Sequence, residues 1–502
     1  MDQTSSTDKT KEASFGLPGL KIANASSASL DKAIVYLEKH AASQSDTATV
    51  DHALLVRKID RHIAPIALAA YTLQLLDKLD LNYAAVMGLN KDLKLAGNDF
   101  NNAASWMYIA NLIAEFPTGY IVQKVRPGKW LGFNIILWGV VTACTAAVTN
   151  YRGLVATRVV IGILEAATAP CLMLITAEGM WYTKSEAILR FAIWYGGLGT
   201  AQMLGSLISW GFQQVTHEAL SGWRIMFLAL GCVTAVAGVW ALFSMPDSPM
   251  EASWLTETEK RVAIQRVAIN QTGIKNTHFK WRHLQELVLD PQIWLLTSAV
   301  VLTSLTSGVV SFYSTTLIRN FGFSAVRSAL LNMPSGAVSL LSCLVTAYFG
   351  HKYDNRALGQ AFLAGVYLVN METVTLFLVF CLTTANVAGQ TKRVAANALI
   401  SGAFSVGNII GPQLFKPKDA PQYIPAKIIL LVTQIVTAMI TTALRVYYGW
   451  QNSKRDVAEK RERERADVKV EDIANIEWLN RADISSLLNR FPNRRCSNRP
   501  RK

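Results

Sequence analysis

IAPIALAAYTLQLLDKLDLNYAAVMG, residues 63–88, decides how the chain is read. The stretch is apolar except for a short run, Asp77-Lys78-Leu79-Asp80. About 20 apolar residues in a helix cross roughly 30 Å of hydrocarbon, so a membrane span is predicted here. One charge at the centre of such a helix costs about 2.5–3.5 kcal/mol on insertion scales. Three charges so close together need partners or a watery cavity. The run is therefore a candidate for binding substrate or protons. The alternative is a half-solvated position near the outer end of the span.

Blocks of similar length recur at about 103–123, 130–149, 153–182, 191–213 and 223–245. With the first block they make six. A polar segment, 246–290, follows. It carries Thr256-Glu257-Thr258-Glu259, the spacing of a helix capping box, and is read as a cytosolic linker with a surface helix. Further blocks lie at about 291–317, 327–350, 358–384, 393–415 and 424–450. The expected domains are a polar cytosolic segment 1–56, a six-helix half 57–245, the linker, a second half 291–450 and a charged cytosolic tail 451–502. Residues 1–56 show no secretory signal, so the first block is expected to act as its own insertion signal.

The fold class is an all-α polytopic membrane protein. Two six-helix halves joined by a long cytosolic loop is the architecture of the major facilitator fold. The second half reads one helix short. Charge sharpens that shortfall. With the N-terminus inside, Lys124 to Lys129, the linker and His351 to Arg356 all fall inside. One further span would then put Lys392, Arg393 and the basic tail outside, against the positive-inside bias. Restoring one span near Arg356 would place every one of these segments inside. A helix is therefore expected to be missing there relative to a complete twelve-span carrier.

Composition supports this class. Of 502 residues, 51% are hydrophobic and 17% charged, against about 25% charged in soluble domains. The net charge of +14 sits in loops and tails beside the apolar blocks, where membrane topology rather than nucleic acid explains it. Six cysteines, five of them within apolar blocks, show no metal or disulfide spacing and are expected to be buried free thiols.

Several stretches resemble fungal permeases of the anion:cation symporter family, the allantoate permease group of the major facilitator superfamily. They are RKIDRHIAPI at 57–66, LDKLDLNYA at 76–84, RVVIGILEA at 158–166, SALLNMPSGAVS at 328–339, NVAGQTKR at 386–393, SVGNIIGPQLF at 405–415 and YIPAK at 423–427. The resemblance covers about 57–450. It implies proton-coupled transport of small organic anions such as allantoate, nicotinate, pantothenate or biotin. It also implies that the run Asp77, Lys78 and Asp80, completed by Asn82, occupies the place of the family's acidic-basic-asparagine motif. The chain departs from the family between Arg356 and Leu358, where a span is absent, and around 487–502. A truncated or non-transporting variant, or a nutrient sensor, is the alternative reading.

Outside the first span, Glu115 lies mid-block before Pro117, as a proton carrier or a structural acid. Arg158 and Glu165 are about two turns apart on one helix face. Arg158 could hold a carboxylate with two bonds, or pair internally with Glu165 or Glu178. The resemblance adds a role in proton coupling for Arg158. Asn408 is polar within its span, as a substrate contact or an interhelical bond. The role of Glu372 is open. Glycines 196, 197, 199 and 205 are read as packing positions. Trp106, Tyr108, Trp181, Tyr182, Trp223, Tyr447, Tyr448 and Trp450 are read as an interfacial belt.

The expected mechanism is alternating access around a midplane site. No Walker loop supports an ATP-driven pump. All seven histidines lie outside the cores of the spans, which counts against a membrane enzyme. No cofactor or metal is implied. The expected partners are a small organic anion, protons and the bilayer, with the chain a monomer in the plasma membrane. One proton with a monovalent anion is electroneutral, and a second proton would add a response to membrane potential. Both stoichiometries are compatible with the sequence.

Overall fold

A computed structural model describes residues 50–176, 181–214, 220–268, 281–353, 390–419 and 422–466, with residues 379 and 383. Every regular element among them is helical. The first half comprises α1 (His52–Val86), α2 (Asp99–Lys124), α3 (Pro127–Thr145), α4 (Tyr151–Glu165), α5 (Thr168–Thr176), α6 (Lys184–Tyr195), α7 (Gly197–Phe212) and α8 (Gly222–Ser244). The linker holds α9 (Glu257–Ala268). The second half comprises α10 (Pro291–Asn320), α11 (Ala325–Leu331), α12 (Met333–Tyr353), α13 (Gln390–Gln413) and α14 (Ile424–Ala466). The expected block 358–384, and with it the missing span near Arg356, lies outside the described residues. So do Glu178, Glu372, Cys381 and Cys496.

Local chemistry sets the helix starts. Asp51, Asn150 and Asp290 accept hydrogen bonds from the free amides of Ala53, Gly153 and Gln292 at 2.8, 2.8 and 3.1 Å. Pro127 and Pro291 occupy first helical positions, where the missing amide proton costs nothing. Two expected spans are broken. The fourth divides at Ala166–Ala167 into α4 and α5, and the fifth divides at Gly196 into α6 and α7. The last helix runs 16 residues past the expected boundary at 450, because Lys, Arg, Glu and Ala beyond it are strong helix formers.

Large apolar side chains face outward, among them Phe116, Val236, Phe243 and Leu431. That is the arrangement of a bundle solvated by lipid. Five described helical stretches are long and apolar enough to cross a membrane. The helix α1 is not among them, since its central charges lower its hydropathy. Cys171 and Cys343 are buried as expected, whereas Cys144 and Cys232 are exposed.

Within the first half, α3 and α8 touch backbone to backbone. A Cβ on Gly139 would lie 2.5 Å from the amide nitrogen of Ala235, and one on Gly231 would lie 2.3 Å from that of Ala143. Between halves, α1 meets α10, α2 meets α13, and α6 and α7 meet α12. The expected packing role of Gly199 extends across this seam, where a Cβ would lie 2.4 Å from the carbonyl oxygen of Gly336.

The linker is more than a surface helix. Its capping box forms, with Thr256 and Glu259 exchanging bonds at 2.8 and 3.3 Å. Its apolar face buries Val262, Ala263, Ile264 and Val267. Glu259 pairs with Lys58 at 2.7 Å and Arg266 with Glu186 at 3.0 Å. Trp254 stacks on His62, with ring centroids 4.2 Å apart, and on Trp181 at 5.8 Å. The linker thus marks one end of the bundle. Lys392, at the start of α13, pairs with Asp290 at 3.4 Å at that same end.

Hydrogen bonds between halves gather toward the opposite end. Asn101 donates to the Phe415 carbonyl at 3.1 Å and accepts from Tyr313. Gln413 donates to Asn102 at 3.2 Å and to Ser105 at 3.0 Å. Gln202 donates to Asn332 at 3.1 Å. This end also holds Asp92, whose carboxylate accepts from Trp223 and Ser221 at 2.7 Å each. Those donors hold its pKa below the usual value. Its contribution to stability is therefore complete above the ordinary carboxylate range and is lost only as pH falls through the lowered value. Asp92→Asn should leave the pH profile of uptake between pH 5 and 7 unchanged. A shifted profile in that variant would contradict this assignment.

Candidate functional site

The charged run of α1 is not half-solvated near an outer end. Asp77, Lys78, Asp80 and Asn82 are 2%, 7%, 1% and 0% exposed. Glu115, Arg158, Glu165 and Asn408 are equally buried. The structure draws five of these eight together. The Asp77 carboxylate accepts from the Trp138 indole and from the Thr142 hydroxyl, the latter at 3.0 Å. Lys78 lies 3.4 Å from Glu165 as an ion pair. Arg158 donates to the backbone carbonyl of Asp77 at 3.3 Å and stacks its guanidinium over Phe227 at 5.2 Å. Asp77, Asp80 and Glu165 all lie within electrostatic reach of Arg158. Arg158 makes no ion pair with Glu165.

The break between α4 and α5 positions Glu165. It is the last residue of α4, and its carbonyl accepts from Gln74 at 3.3 Å. Broken helices are a usual way to build a site at membrane depth. Lys78 sits 5.6 Å from the ring of Tyr108 on α2 and 5.9 Å from the ring of Phe404 on α13, so both halves face the same ammonium.

The other three candidates lie apart from this cluster. Asn82 donates to Ser314 and Thr315 of α10 at 3.1 Å each, joining the halves. Glu115 meets Ser401 of α13, and its Oε2 has no hydrogen-bond partner among the described residues. Among the described residues Asn408 makes no interhelical bond. Its amide donates at 2.8 Å to Phe404, one turn back on its own helix, which is what a short polar side chain does when neighbouring helices offer no acceptor.

Tyr108 was expected in the interfacial belt and is instead part of the site, because it lies mid-helix and points inward. Trp181, Tyr182 and Trp223 are also fully buried. Trp181 packs against the linker and Trp223 donates to Asp92. Trp106 and Trp450 are exposed as a belt requires. Sequence reasoning missed Trp138 and Thr142 as partners of Asp77. They are four residues apart in α3 and so share one helix face, which was the available signal.

A helical bundle with outward apolar faces, two packed halves and a buried charge cluster beside their seam defines a multi-pass membrane transporter. Comparison with known proteins agrees. The Major Facilitator Superfamily profile matches residues 67–389. The thiamine pathway transporter THI73 of Saccharomyces cerevisiae is 33% identical over 90% of this chain and 93% of its own length. An uncharacterised transporter of Schizosaccharomyces pombe is 32% identical over 86% and 88%. The allantoate permease of Saccharomyces cerevisiae is 30% identical over 80% of each chain. Among solved structures, the proton:xylose symporter XylE superposes with a TM-score of 0.57 at 14% identity, covering 78% of this chain and 96% of that one. This chain belongs to the major facilitator superfamily, in the fungal allantoate permease group.

Proposed function

We propose that the chain is a proton-coupled symporter of a small organic anion, working in the plasma membrane as a monomer by alternating access. The Lys78–Glu165 pair carries this reading. A substrate carboxylate that docks on Lys78 must compete with Glu165. Breaking a buried ion pair leaves an uncompensated charge worth about 3–5 kcal/mol. A proton on Glu165 removes that penalty, so anion and proton bind together. Arg158 and Asp77 position the pair across α1 and α4. The linker end, which holds Lys58, Arg190 and Arg266, is assigned to the cytosol by the positive-inside bias. The name of the allantoate permease relative supports a small carboxylate as substrate.

The test is uptake of labelled allantoate, nicotinate, pantothenate and biotin in a fungal host lacking its own permeases. The expected result is uptake of one compound, faster in acid and abolished by a protonophore. Uptake indifferent to both conditions would exclude symport. Surface-resident chain that moves none of the four compounds would instead favour a non-transporting role or a substrate outside this set.

A further inference from the structure

The seam between α2 and α13 continues past Lys78 toward the linker end. Tyr108 and Phe404, which flank the ammonium, stand on these two helices. The contacts across the seam form a ladder. Ser105 donates to the Ile409 carbonyl at 3.1 Å, Ser405 donates to Asn111 at 3.3 Å, and Glu115 meets Ser401. Numbers rise on α2 as they fall on α13, so the helices run antiparallel and their facing sides descend together. Residues 108, 111 and 115 share one face of α2, and 397, 401 and 404 share one face of α13.

The lower rungs of this ladder are short of donors. Glu115 is 2% exposed, and its Oε2 has no hydrogen-bond partner among the described residues. One turn beyond Ser401, Asn397 is also buried and its Oδ1 is equally unpartnered. Unpaired acceptors in a buried seam are costly. A carboxyl group offers an accepting oxygen in either protonation state, and an amide oxygen can only accept. The missing complement is therefore a ligand that donates N–H. The seam has room at this level, because a Cβ on Gly402 would meet only the end of Leu112, at 3.1 Å. From Tyr108 to Glu115 is seven residues, about 10 Å along the helix. A short substituted carboxylate with a hydrogen bond at each end covers that distance.

We propose that Glu115 and Asn397 are specificity-determining residues that read the far end of the carried anion. Taking the seat at Lys78 from the proposed function as given, the substrate's carboxylate rests there. Its other end is a neutral ureido or carboxamide group, which donates its N–H bonds to Glu115 Oε2 and Asn397 Oδ1. Carboxylates without such a donor leave both acceptors unpaired and bind poorly.

The experiment is calorimetric binding to the purified full chain in nanodiscs, so it does not depend on transport. The probes are β-ureidopropionate and isoheptanoate, its isostere in which an isobutyl group replaces the ureido group. The wild type should bind β-ureidopropionate about five- to 150-fold more tightly, the range for leaving a buried acceptor unpaired. Glu115→Met should bring the two affinities together by weakening β-ureidopropionate alone, and Glu115→Gln, which keeps an accepting oxygen, should restore part of the preference. Glu115→Leu serves if the methionine variant does not fold. Equal affinities in the wild type, or binding of neither probe, would overturn the inference. So would a Glu115→Met protein that loses affinity for both probes alike, since a purely structural acid would act that way. Lys78→Met should weaken both probes equally. If it weakens neither while the preference at Glu115 persists, the seat at Lys78 fails and the reading of the far end stands.

Discussion

Lys78→Met is expected to lower uptake roughly ten- to 150-fold, the range implied by a hydrogen bond to a charged group of about 1.5–3 kcal/mol. The ammonium is 3.4 Å from Glu165 and stands between rings supplied by both halves, so it is the cation an incoming carboxylate would meet. Removing it also strands Glu165, which is fully buried. Less of this variant should therefore reach the cell surface. Glu165→Gln in the same chain removes the stranded charge and should restore the surface level, but not uptake. Surface labelling and uptake measured on the same cells separate the two effects. Near-normal uptake per surface copy in Lys78→Met would mean that the anion binds elsewhere.

The second large effect is expected at the seam. A valine at Gly199 or Gly336 cannot fit the packing of α7 on α12. A Cβ on Gly199 would lie 2.4 Å from the Gly336 carbonyl oxygen, and one on Gly336 would lie 2.7 Å from that of Gly199. The obstacle is backbone in both cases, so no side-chain rotation relieves it. Overpacking of this kind costs about 1–3 kcal/mol. The cost falls on the packed arrangement and not on one in which the halves have separated. Either variant should therefore reach the surface, transport roughly five- to 150-fold more slowly and spend less time closed. A cysteine pair replacing Asn102 and Gln413, whose side chains are hydrogen-bonded at 3.2 Å, reports closure by the yield of a short bifunctional thiol crosslink. Gly199→Val should lower that yield, and Gly199→Ala should fall between. Unchanged uptake and yield would mean that this contact is not remade in each cycle.

Much of this was legible in the chain itself. Apolar blocks broken by polar turns mark the order of the described helices, since a bilayer leaves a backbone few other ways to satisfy its hydrogen bonds. Asp77, Lys78, Arg158 and Glu165 stood out because charge in a span is costly. Their pairing did not. Arg158 and Glu165 share a helix face, which suggested a pair, but the Glu165 partner is Lys78 from another helix. Period along one helix carries no information about which helix lies beside it. The aromatic residues failed for a related reason. Tyr108 and Trp223 are the right residue types for an interface, and only tertiary packing shows that both are buried. The breaks at Ala166–Ala167 and Gly196 were invisible to block counting, because an interruption of one or two residues leaves the apolar composition intact.

The last helix is one continuous rod from Ile424 to Ala466. At about 1.5 Å per residue it is about 64 Å long, twice the thickness of the hydrocarbon it crosses. Its free portion therefore works as a pointer rigidly fixed to the second half. From mid-membrane to Ala466 the arm is about 44 Å, so each degree of tilt sweeps the tip by about 0.8 Å. A pair of dyes, one on this pointer and one on the linker helix, would turn the rocking of the two halves into a change in energy transfer, and single molecules could be followed through successive turnovers from outside the membrane.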